Sequence, residues 1–380
     1  MSIKYRCWAE VDLAALRENL AWLRHRIGPG VKILTVVKAD AYGHGLKQIA
    51  ACLMRSGTDI FGVANLAEAQ SLRAVGPGWP VLMLGACLPH EIEAAVRDDI
   101  RPTVSSLAEA HAFARVARRR GRTVSVHLKV DTGMGRLGAP VASAVELAGR
   151  IRALPSLRLE GIYTHFASAE DDPAFTALQL RRFANVLTAV RKAGLEVPLV
   201  HASNSAALLY EREARFNLVR PGLLVYGVMP PGRRRPPRDL ANRLRPALSW
   251  KARVCLIKEI GPGDSLSYGR MFTASRRMKV ATVSAGYGDG YLRAAGGRAQ
   301  VLVGGRRCAV LGRITMDQML VDVSRVPRVA VGDEVVLIGR QGGQSISATT
   351  LAGWAGSIPW EVLTSITYRV PRLYRGESAA

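Results

Sequence analysis

The amino-acid sequence predicts an α/β protein, a (β/α)8 TIM barrel followed by a smaller, mostly β C-terminal domain. Short apolar runs alternate with helix-like segments, and a segment rich in proline and arginine follows them. The last third of the chain consists of short β-like runs between glycine-rich turns. The 380 residues also exceed what one compact core holds. We predict domains at residues 1–240 and 241–380, and leave open whether the first few residues pair with the second domain.

The barrel prediction depends on eight apolar strand cores, each followed by a helix-like stretch. The cores span residues 33–38, 60–64, 81–84, 101–104, 124–130, 159–165, 199–202 and 218–219. Ahead of them, Asp12 is the predicted N-cap of a first helix whose leucines recur at helical spacing. Eight units over roughly 200 residues suit a closed barrel, whereas a doubly wound open sheet is the alternative.

A change of pattern separates the two predicted domains. Residues 229–246 are rich in proline and arginine and poor in apolar side chains, as expected of a linker. The final segment, 351–370, begins with a helical pattern and returns to a strand. The β-like runs between them span residues 250–260, 279–284, 300–303, 307–311, 318–323 and 334–338.

The net charge of +23 raises the question of a nucleic-acid partner. We favour a compositional bias toward arginine, because the charge is spread over many predicted helices and the dense run at 233–235 lies among prolines. Neither aromatic interleaving nor a nucleic-acid motif accompanies the charge. We therefore expect no nucleic-acid partner.

The sequence also bears on the compartment of the protein. No run reaches the roughly 20 apolar residues of a membrane helix, and no apolar run follows the charges of residues 1–6, as a signal peptide would require. The five cysteines are scattered and form no CxxC pair, which favours reduced thiols over disulfides or metal ligands. We expect a cytoplasmic protein with no membrane partner and no metal site.

Polar residues stand at the ends of the predicted strands. The carboxyl ends of parallel strands converge on one face of a barrel, and active sites are built on that face. One polar residue there would be unremarkable, but a set at corresponding strand ends is hard to explain as core packing. The residues are Lys38, Lys129, Asp131, His165, Asn204, Ser205 and Arg220.

Lys38 follows an apolar run, residues 33–37, that we expect to be buried. Burial depresses the pKa of an amine, and a neutral amine can form a Schiff base with an aldehyde. On its own, this position favours a lysine whose side chain reaches solvent from a strand end over one that forms a Schiff base. The residues around Lys38 reverse that preference.

Segments around Lys38 and along nearly the whole chain resemble the alanine racemase family. The segment Val37-Lys38-Ala39-Asp40-Ala41-Tyr42-Gly43-His44-Gly45 and the triplet Met316-Asp317-Gln318 are specific to that family. The resemblance implies a barrel followed by a β domain, and a homodimer whose active sites take residues from both subunits. It also implies two-base interconversion of L-alanine and D-alanine with pyridoxal 5'-phosphate. The other matching segments are residues 129–138, 201–207, 219–222, 267–269, 286–290, 312–318 and 368–372.

The resemblance implies a role for each matching residue. Lys38 would carry pyridoxal phosphate and serve as one base, and Tyr268 of the partner subunit would be the second base. His165 would orient Arg220 or the tyrosine by hydrogen bonding. Further cofactor contacts are expected from Tyr42, Asn204, Ser205, Tyr368 and the backbone amides of Gly222 and Leu223.

Two arginines would contact the substrate and the cofactor ring. Arg136 would bind the substrate carboxylate and the phenolic oxygen of the cofactor, and the backbone amide of Met316 of the partner subunit would add a second carboxylate contact. Arg220 would face the pyridine nitrogen. Because arginine only donates hydrogen bonds, it disfavours a protonated ring nitrogen and limits side reactions. A decarboxylase would instead be expected to hold a carboxylate there, and a surface salt bridge is the other interpretation of Arg220.

The resemblance also bears on substrate size. Thr315 stands where many family members carry cysteine, so a broader racemase for serine and alanine stays open as an alternative. In some members the lysine corresponding to Lys129 is carbamylated and accepts a hydrogen bond from the arginine at position 136. Residues that match the narrow access corridor of the family argue against large substrates; they are Tyr287, Arg293, Arg313, Ile366 and Tyr368.

Overall fold

The computed structural model describes residues 4–237, 240 and 243–376 of the chain. Strand β1 (Cys7–Asp12) leads directly into helix α1 (Leu13–Ile27). The carboxylate of Asp12 accepts a hydrogen bond from the amide of Ala15 at 3.0 Å, so the predicted N-cap is confirmed. Residues 1–3, where the expectation about a signal peptide begins, and residue 241, the predicted start of the second domain, lie outside the described residues.

Parallel strands form the predicted barrel, in the order β10-β2-β3-β4-β5-β6-β8-β9. The amide of Arg220 donates to the carbonyl of Ser203 at 2.9 Å, just beyond β10 and β9, and nearly closes the ring. The TIM-barrel prediction is therefore confirmed. The strands are β2 (Lys32–Val36), β3 (Ile60–Val63), β4 (Val81–Met83), β5 (Arg101–Val104), β6 (Val124–Asp131), β7 (Ala139–Pro140, paired with β6), β8 (Leu157–Tyr163), β9 (Leu199–His201) and β10 (Leu218–Val219).

Two predicted site residues lie beyond their strands rather than at the last strand position. Strand β2 ends at Val36, so Lys38 belongs to the connection after it. Strand β8 ends at Tyr163, and His165 lies in the following loop. In both places one backbone hydrogen bond to the neighbouring strand follows the last strand residue, and the extended sequence pattern therefore places the strand end too late.

Helices between the strands cover the outside of the barrel. Four of them begin at a side-chain N-cap: the side chains of Asn65, Ser106, Asp172 and Asn204 each accept from the amide three residues ahead. The helices are α3 (Leu46–Met54), α4 (Leu66–Arg73), α5 (Ile92–Arg97), α6 (Leu107–Arg119), α7 (Ala144–Arg152), α8 (Pro173–Lys192) and α9 (Ser205–Tyr210), whereas α2 (Lys38–Gly43) is a short left-handed turn just after β2.

The C-terminal part of the chain is mostly β, as predicted. Its large sheet has the order β19-β18-β15-β16-β17-β14-β11-β1-β20, and β12 pairs with β13 beside it. The strands are β11 (Leu248–Ile260), β12 (Ser265–Leu266), β13 (Phe272–Thr273), β14 (Met278–Val283), β15 (Gln300–Val303), β16 (Arg306–Leu311), β17 (Met319–Asp322), β18 (Glu334–Gln341), β19 (Gln344–Ile346) and β20 (Arg372–Arg375). The helices are α10 (Ala348–Ala355) and α11 (Pro359–Thr364).

The segment 351–370 differs from the sequence expectation. It contains two helices instead of one, and the strand begins only at Arg372. Gly356 ends α10 in the left-handed conformation at φ 65°, and Pro359 then starts α11. The apolar residues continue at helical spacing through this segment, but Gly356 ends one helix and Pro359 begins the next.

Both ends of the chain join the C-terminal sheet. Ala9 of β1 lies opposite Trp250 of β11 in an antiparallel pair, and opposite Arg372 of β20 in a parallel pair. The indole nitrogen of Trp250 donates to the sulfur of Cys7 at 3.2 Å, and both side chains are buried. The first strand therefore ties the second sheet to the start of the barrel through α1.

Asn19 of α1 fastens the segment that joins the barrel to β11. Its side chain is fully buried, and its amide nitrogen donates to the carbonyls of Val225 at 3.0 Å and Arg245 at 2.8 Å. Its side-chain oxygen accepts from the amide of Arg245 at 2.9 Å. One buried side chain thus satisfies three backbone groups in a segment without regular secondary structure.

Asn19→Ala should destabilise the protein by roughly 3 kcal/mol, because it leaves buried backbone groups without partners. The neighbouring Glu18 makes an exposed ion pair with Arg245, which contributes little to stability, so Glu18→Ala should unfold at nearly the parent denaturant concentration. Urea unfolding followed by circular dichroism measures both variants. Equal midpoints for the two would contradict the role given to Asn19.

Candidate active site

The chain after β2 makes a left-handed turn that carries Lys38. The four residues Ala39–Tyr42 have φ between 51° and 54°, although none of them is glycine. L-amino acids avoid this region at a cost of roughly 1–2 kcal/mol each. Hydrogen bonds hold the turn: Glu68 accepts from the amide of Ala39 at 2.7 Å, and Asp40 accepts from the amide of Leu46 at 2.7 Å.

The end of the chain packs directly against this turn. A Cβ on Gly43 would lie 2.1 Å from the carbonyl oxygen of Leu363, so only glycine fits there. The guanidinium of Arg372 donates to the carbonyl of Gly43 at 3.1 Å, and the hydroxyl of Tyr374 donates to the carbonyl of His44 at 3.1 Å. The turn is therefore fixed from the side of α11 and β20.

Lys38 and most of the predicted site residues line one cavity of about 490 Å³ beyond the carboxyl ends of the barrel strands. This is the face on which barrel enzymes build their active sites. The predicted residues in its lining are Lys38, Tyr42, Lys129, Arg136, His165, Asn204, Ser205, Arg220, Gly222 and Leu223.

Asp131 lies outside this lining, and so do three residues that were expected to contact the substrate or the cofactor. Tyr268, Met316 and Tyr368 are 69%, 52% and 96% exposed. Tyr268 follows β12 in a single 3-10 turn, and Met316 lies between β16 and β17. All three are thus displayed on the surface of the chain and contribute nothing to the cavity within one subunit.

Positive charge is concentrated at the cavity. Burial and then Arg136 lower the pKa of Lys38, while Glu68 opposes them. Burial and the charges of Arg220 and Arg136 lower the pKa of Lys129 to about 8. Both effects disfavour a second ammonium group beside the guanidinium groups, so they favour the neutral, nucleophilic amine.

One end of the cavity presents a cluster of neutral donors. The Oγ of Ser205 accepts from the amide of Gly222 at 2.9 Å. A Cβ on Gly222 would lie 2.5 Å from the hydroxyl of Tyr42, so glycine lets that phenol approach the backbone. The hydroxyls of Tyr42 and Ser205 therefore lie close to the backbone at Gly222, where no side chain intervenes. Such a donor set fits a phosphate group, and the amine of Lys38 in the same cavity fits an aldehyde.

Arg220 is almost fully buried at the floor of the cavity. Its Nη2 donates to the carbonyls of Thr164 at 2.8 Å and Ala202 at 2.9 Å, and lies 3.2 Å from Nδ1 of His165. Burial lowers its pKa only to about 10, so the guanidinium stays charged near neutral pH. Burial and Arg220 lower the pKa of His165 well below its usual value, which keeps that ring neutral.

Several residues around Arg220 were not predicted from the sequence. The guanidinium lies 5.1 Å from the ring centre of Tyr163, and its Nη1 donates to Nδ1 of His201 at 2.9 Å. His201 in turn contacts His127. The sequence did contain a signal for His127. Side chains two residues apart on a strand point to the same face, and His127 precedes Lys129 by two residues.

Within the described parts of the chain, no helix is both long and apolar enough to cross a membrane. No group of three or more His, Cys, Asp or Glu side chains among those residues could hold a metal ion. All five cysteines are free thiols.

The two halves of the chain match two family models. Residues 11–230 match "Alanine racemase, N-terminal domain" and residues 247–374 match "Alanine racemase, C-terminal domain". The chain belongs to the alanine racemase family. Members of this family are isomerases, and the chain is accordingly an isomerase.

Full-length relatives agree with this membership. An alanine racemase of Symbiobacterium thermophilum is 45% identical and one of Halothermothrix orenii is 42% identical, with 98% and 97% of each chain covered in the respective pairs. The solved alanine racemase of Clostridium difficile is 35% identical and superposes with a TM-score of 0.92, covering 98% of this chain and 97% of that one.

In the cofactor-free chain, Lys38 should react with amine reagents at lower pH than an ordinary lysine, because its lowered pKa leaves more of the neutral amine. Reductive methylation across a pH series, followed by mass spectrometry of the peptides, gives the midpoint. It should lie below about 10.4, and Arg136→Gln should move it upward because a neighbouring positive charge is removed. The exposed Lys192 of α8 serves as the internal control, and its midpoint should not respond to Arg136→Gln. A Lys38 midpoint at the ordinary value would contradict the cavity electrostatics.

Proposed function

We propose that the protein interconverts L-alanine and D-alanine with pyridoxal 5'-phosphate held on Lys38. The observation that carries this proposal is the single cavity that joins Lys38, Arg136 and Arg220. An amine of lowered pKa, a carboxylate-binding guanidinium and a buried guanidinium are the groups that such a reaction requires. The family membership supports the choice of alanine.

The chain's own residues would hold the cofactor at both ends. Lys38 would bind it covalently through Nζ, and the donor cluster of Tyr42, Ser205 and the amide of Gly222 would bind its phosphate. Asn204 and the amide of Leu223 border that cluster. Tyr368 is exposed in the single chain, so we keep its phosphate contact as a proposal for the assembled dimer.

Pyridoxal phosphate supplies a sink for the charge that develops at the substrate α-carbon. Arg220 would set the strength of that sink. A donor-only, permanently charged guanidinium beside the ring nitrogen disfavours its protonation. The charge then stays near the α-carbon, where a proton can return to it, and transamination is suppressed. His165 would hold Arg220 from the cavity side.

Two bases would act on opposite faces of the substrate. Once the amine of the substrate has replaced that of Lys38 on the cofactor, the released amine of Lys38 would remove and return the α-proton of D-alanine, and Tyr268 of the partner subunit would do so for L-alanine. The 69% exposure of Tyr268 supports this arrangement, since a base that faces solvent in one subunit is available to complete the site of another. We therefore propose a homodimer with shared active sites.

Contacts to the carboxylate and the side chain of the substrate would determine which amino acid is accepted. Arg136 would bind its carboxylate, with the backbone amide of Met316 of the partner subunit as a second donor. The hydroxyl of Thr315 donates to the carbonyl of Gln318 at 2.8 Å, so its proton is used within its own turn. The oxygen of Thr315 can still accept a hydrogen bond from a serine hydroxyl, so a broader racemase for serine and alanine remains the alternative.

The product would serve one of two cellular purposes. D-alanine would be supplied for peptidoglycan, or D-alanine would be catabolised to the L-enantiomer. Free thiols at all five cysteines support our proposal of the cytoplasm as the compartment.

Circular dichroism of L-alanine incubated with the chain and pyridoxal phosphate should decay to zero, because free enantiomers are equal in energy. Tyr268→Phe should slow this decay by roughly 10²–10⁴, the effect of losing one general base. In heavy water, however, the variant should still exchange the α-proton of D-alanine with retained configuration, since Lys38 acts alone on that face. Tyr5→Phe, at another exposed tyrosine, is the control and should keep the parent rate. If D-alanine exchange fell as far as racemisation, Tyr268 would not be a separate base.

Mixed dimers test the shared site. Lys38→Ala and Tyr268→Phe subunits should each be nearly inactive, but their heterodimer should regain activity in one of its two sites. That site combines an intact Lys38 from one subunit with an intact tyrosine from the other. Heterodimers isolated by two affinity tags and assayed for racemisation give the answer. No recovery in properly mixed dimers would indicate sites built within one chain.

A further inference from the structure

A continuous chain of hydrogen bonds runs from Arg220 into the interior of the barrel. Nη1 of Arg220 lies 2.9 Å from Nδ1 of His201, and Nε2 of His201 lies 2.9 Å from Nδ1 of His127. Nε2 of His127 lies 3.2 Å from a carboxylate oxygen of Glu160. Arg101 closes the far end, where its Nε donates to the same oxygen at 2.6 Å.

The two ends of this chain determine the position of every proton in it. Arginine only donates, so Nδ1 of His201 must accept and the proton of that ring must be on Nε2. Nε2 of His201 therefore donates to Nδ1 of His127, which leaves the proton of His127 on its own Nε2. That proton is donated to Glu160, because an ionised carboxylate only accepts.

Burial keeps both rings neutral, as this pattern requires. His127 and His201 are fully buried, and burial lowers the pKa of each below its usual value. Burial would raise the pKa of Glu160, but the hydrogen bonds of His127 and Arg101 outweigh it and bring the pKa to about 2. Arg158 also pairs with Glu160, at 3.3 Å, and the ring of Tyr163 stacks on that of His201 with centroids 4.5 Å apart.

The backbone has two features that make the chain of contacts possible. The register of β6 and β8 shifts by one residue, from Val126 opposite Leu159 to His127 opposite Gly161, so Glu160 is the extra residue of a β-bulge. A bulge re-aims the side chain that it carries. A Cβ on Gly161 would lie 2.3 Å from Nδ1 of His127, so only glycine leaves room for that ring.

We propose that Glu160 is a positioning residue for Arg220, acting through His127 and His201. The carboxylate fixes the tautomer of the first ring, which fixes that of the second, and the second ring holds one edge of the guanidinium. Arg220 is thereby kept in one orientation toward the cavity. This inference rests on the proposed function only where Arg220 is taken to face the cofactor ring.

Neutron crystallography of the deuterated full chain with bound pyridoxal phosphate tests the proton positions directly. We expect deuterium on Nε2 and none on Nδ1 in both His127 and His201. Deuterium on Nδ1 of either ring, alone or together with Nε2, would overturn the proposal. This measurement depends on no variant, and it stands whether or not the racemase activity is found.

Glu160→Gln then tests the coupling to Arg220. We expect kcat to fall by roughly threefold to thirtyfold, the range for coupling through a packed network. KM for alanine should change by less than kcat, because the substrate carboxylate is bound elsewhere. The visible absorption band of the bound cofactor should shift, since its ring nitrogen faces Arg220. The control is Glu93→Gln, an exposed carboxylate paired with Arg119 at 3.0 Å, and it should leave all three at parent values.

The thermal midpoint separates positioning from mere stability. If Glu160→Gln lowers only this midpoint and leaves kcat and the absorption band of the folded enzyme at parent values, Glu160 is structural and the proposal is wrong. A shifted band together with a lower kcat supports it. A bound cofactor with no racemisation by the parent enzyme would count against the proposed function, and the neutron result would still decide the tautomers.

Discussion

The left-handed turn Ala39–Tyr42 is the constraint on which the site depends. Four non-glycine residues in this region cost roughly 4–8 kcal/mol together, comparable to the whole stability of many domains. The turn persists because Glu68 accepts from the amide of Ala39 and Asp40 accepts from the amide of Leu46. Residues of α11 and β20 also contact Gly43 directly. The turn directs Lys38 toward the cavity immediately after β2 and brings the phenol of Tyr42 to Gly222 within four residues.

Buried charge is the second constraint, and the barrel satisfies it with hydrogen bonds rather than with a counter-ion beside Arg220. Backbone carbonyls and neutral rings surround the guanidinium, and the carboxylate of Glu160, which pairs with Arg101 and Arg158, lies two rings away. A carboxylate in direct contact would neutralise the field that Arg220 projects into the cavity. Keeping it at the far end of a polarised chain orients the guanidinium while leaving its positive charge facing the site.

Much of the fold was predictable because strands of a parallel barrel are apolar runs that end in polar residues. The same signal located Lys38, Lys129 and Arg220. The turn after Lys38 was not predictable, since no glycine marks its positive φ values and tertiary contacts impose them. The Glu160 network was missed for a related reason: a β-bulge depends on register between two strands, and register is a property of the pair. The exposure of Tyr268 was likewise not predictable, because it depends on how the C-terminal domain packs.

The C-terminal domain therefore acts on the site in two physically distinct ways. Within its own subunit it fixes the backbone, because Arg372 and Tyr374 of β20 donate hydrogen bonds to the carbonyls at the end of the turn that carries Lys38. The residues proposed to act chemically, Tyr268 and Met316, face outward instead and cannot reach the cavity that their own β20 supports. A subunit that folds correctly would then present a rigid half-site with one base. Because the second base comes with the partner, dimerisation would also exclude water from the cavity at the same step that completes it.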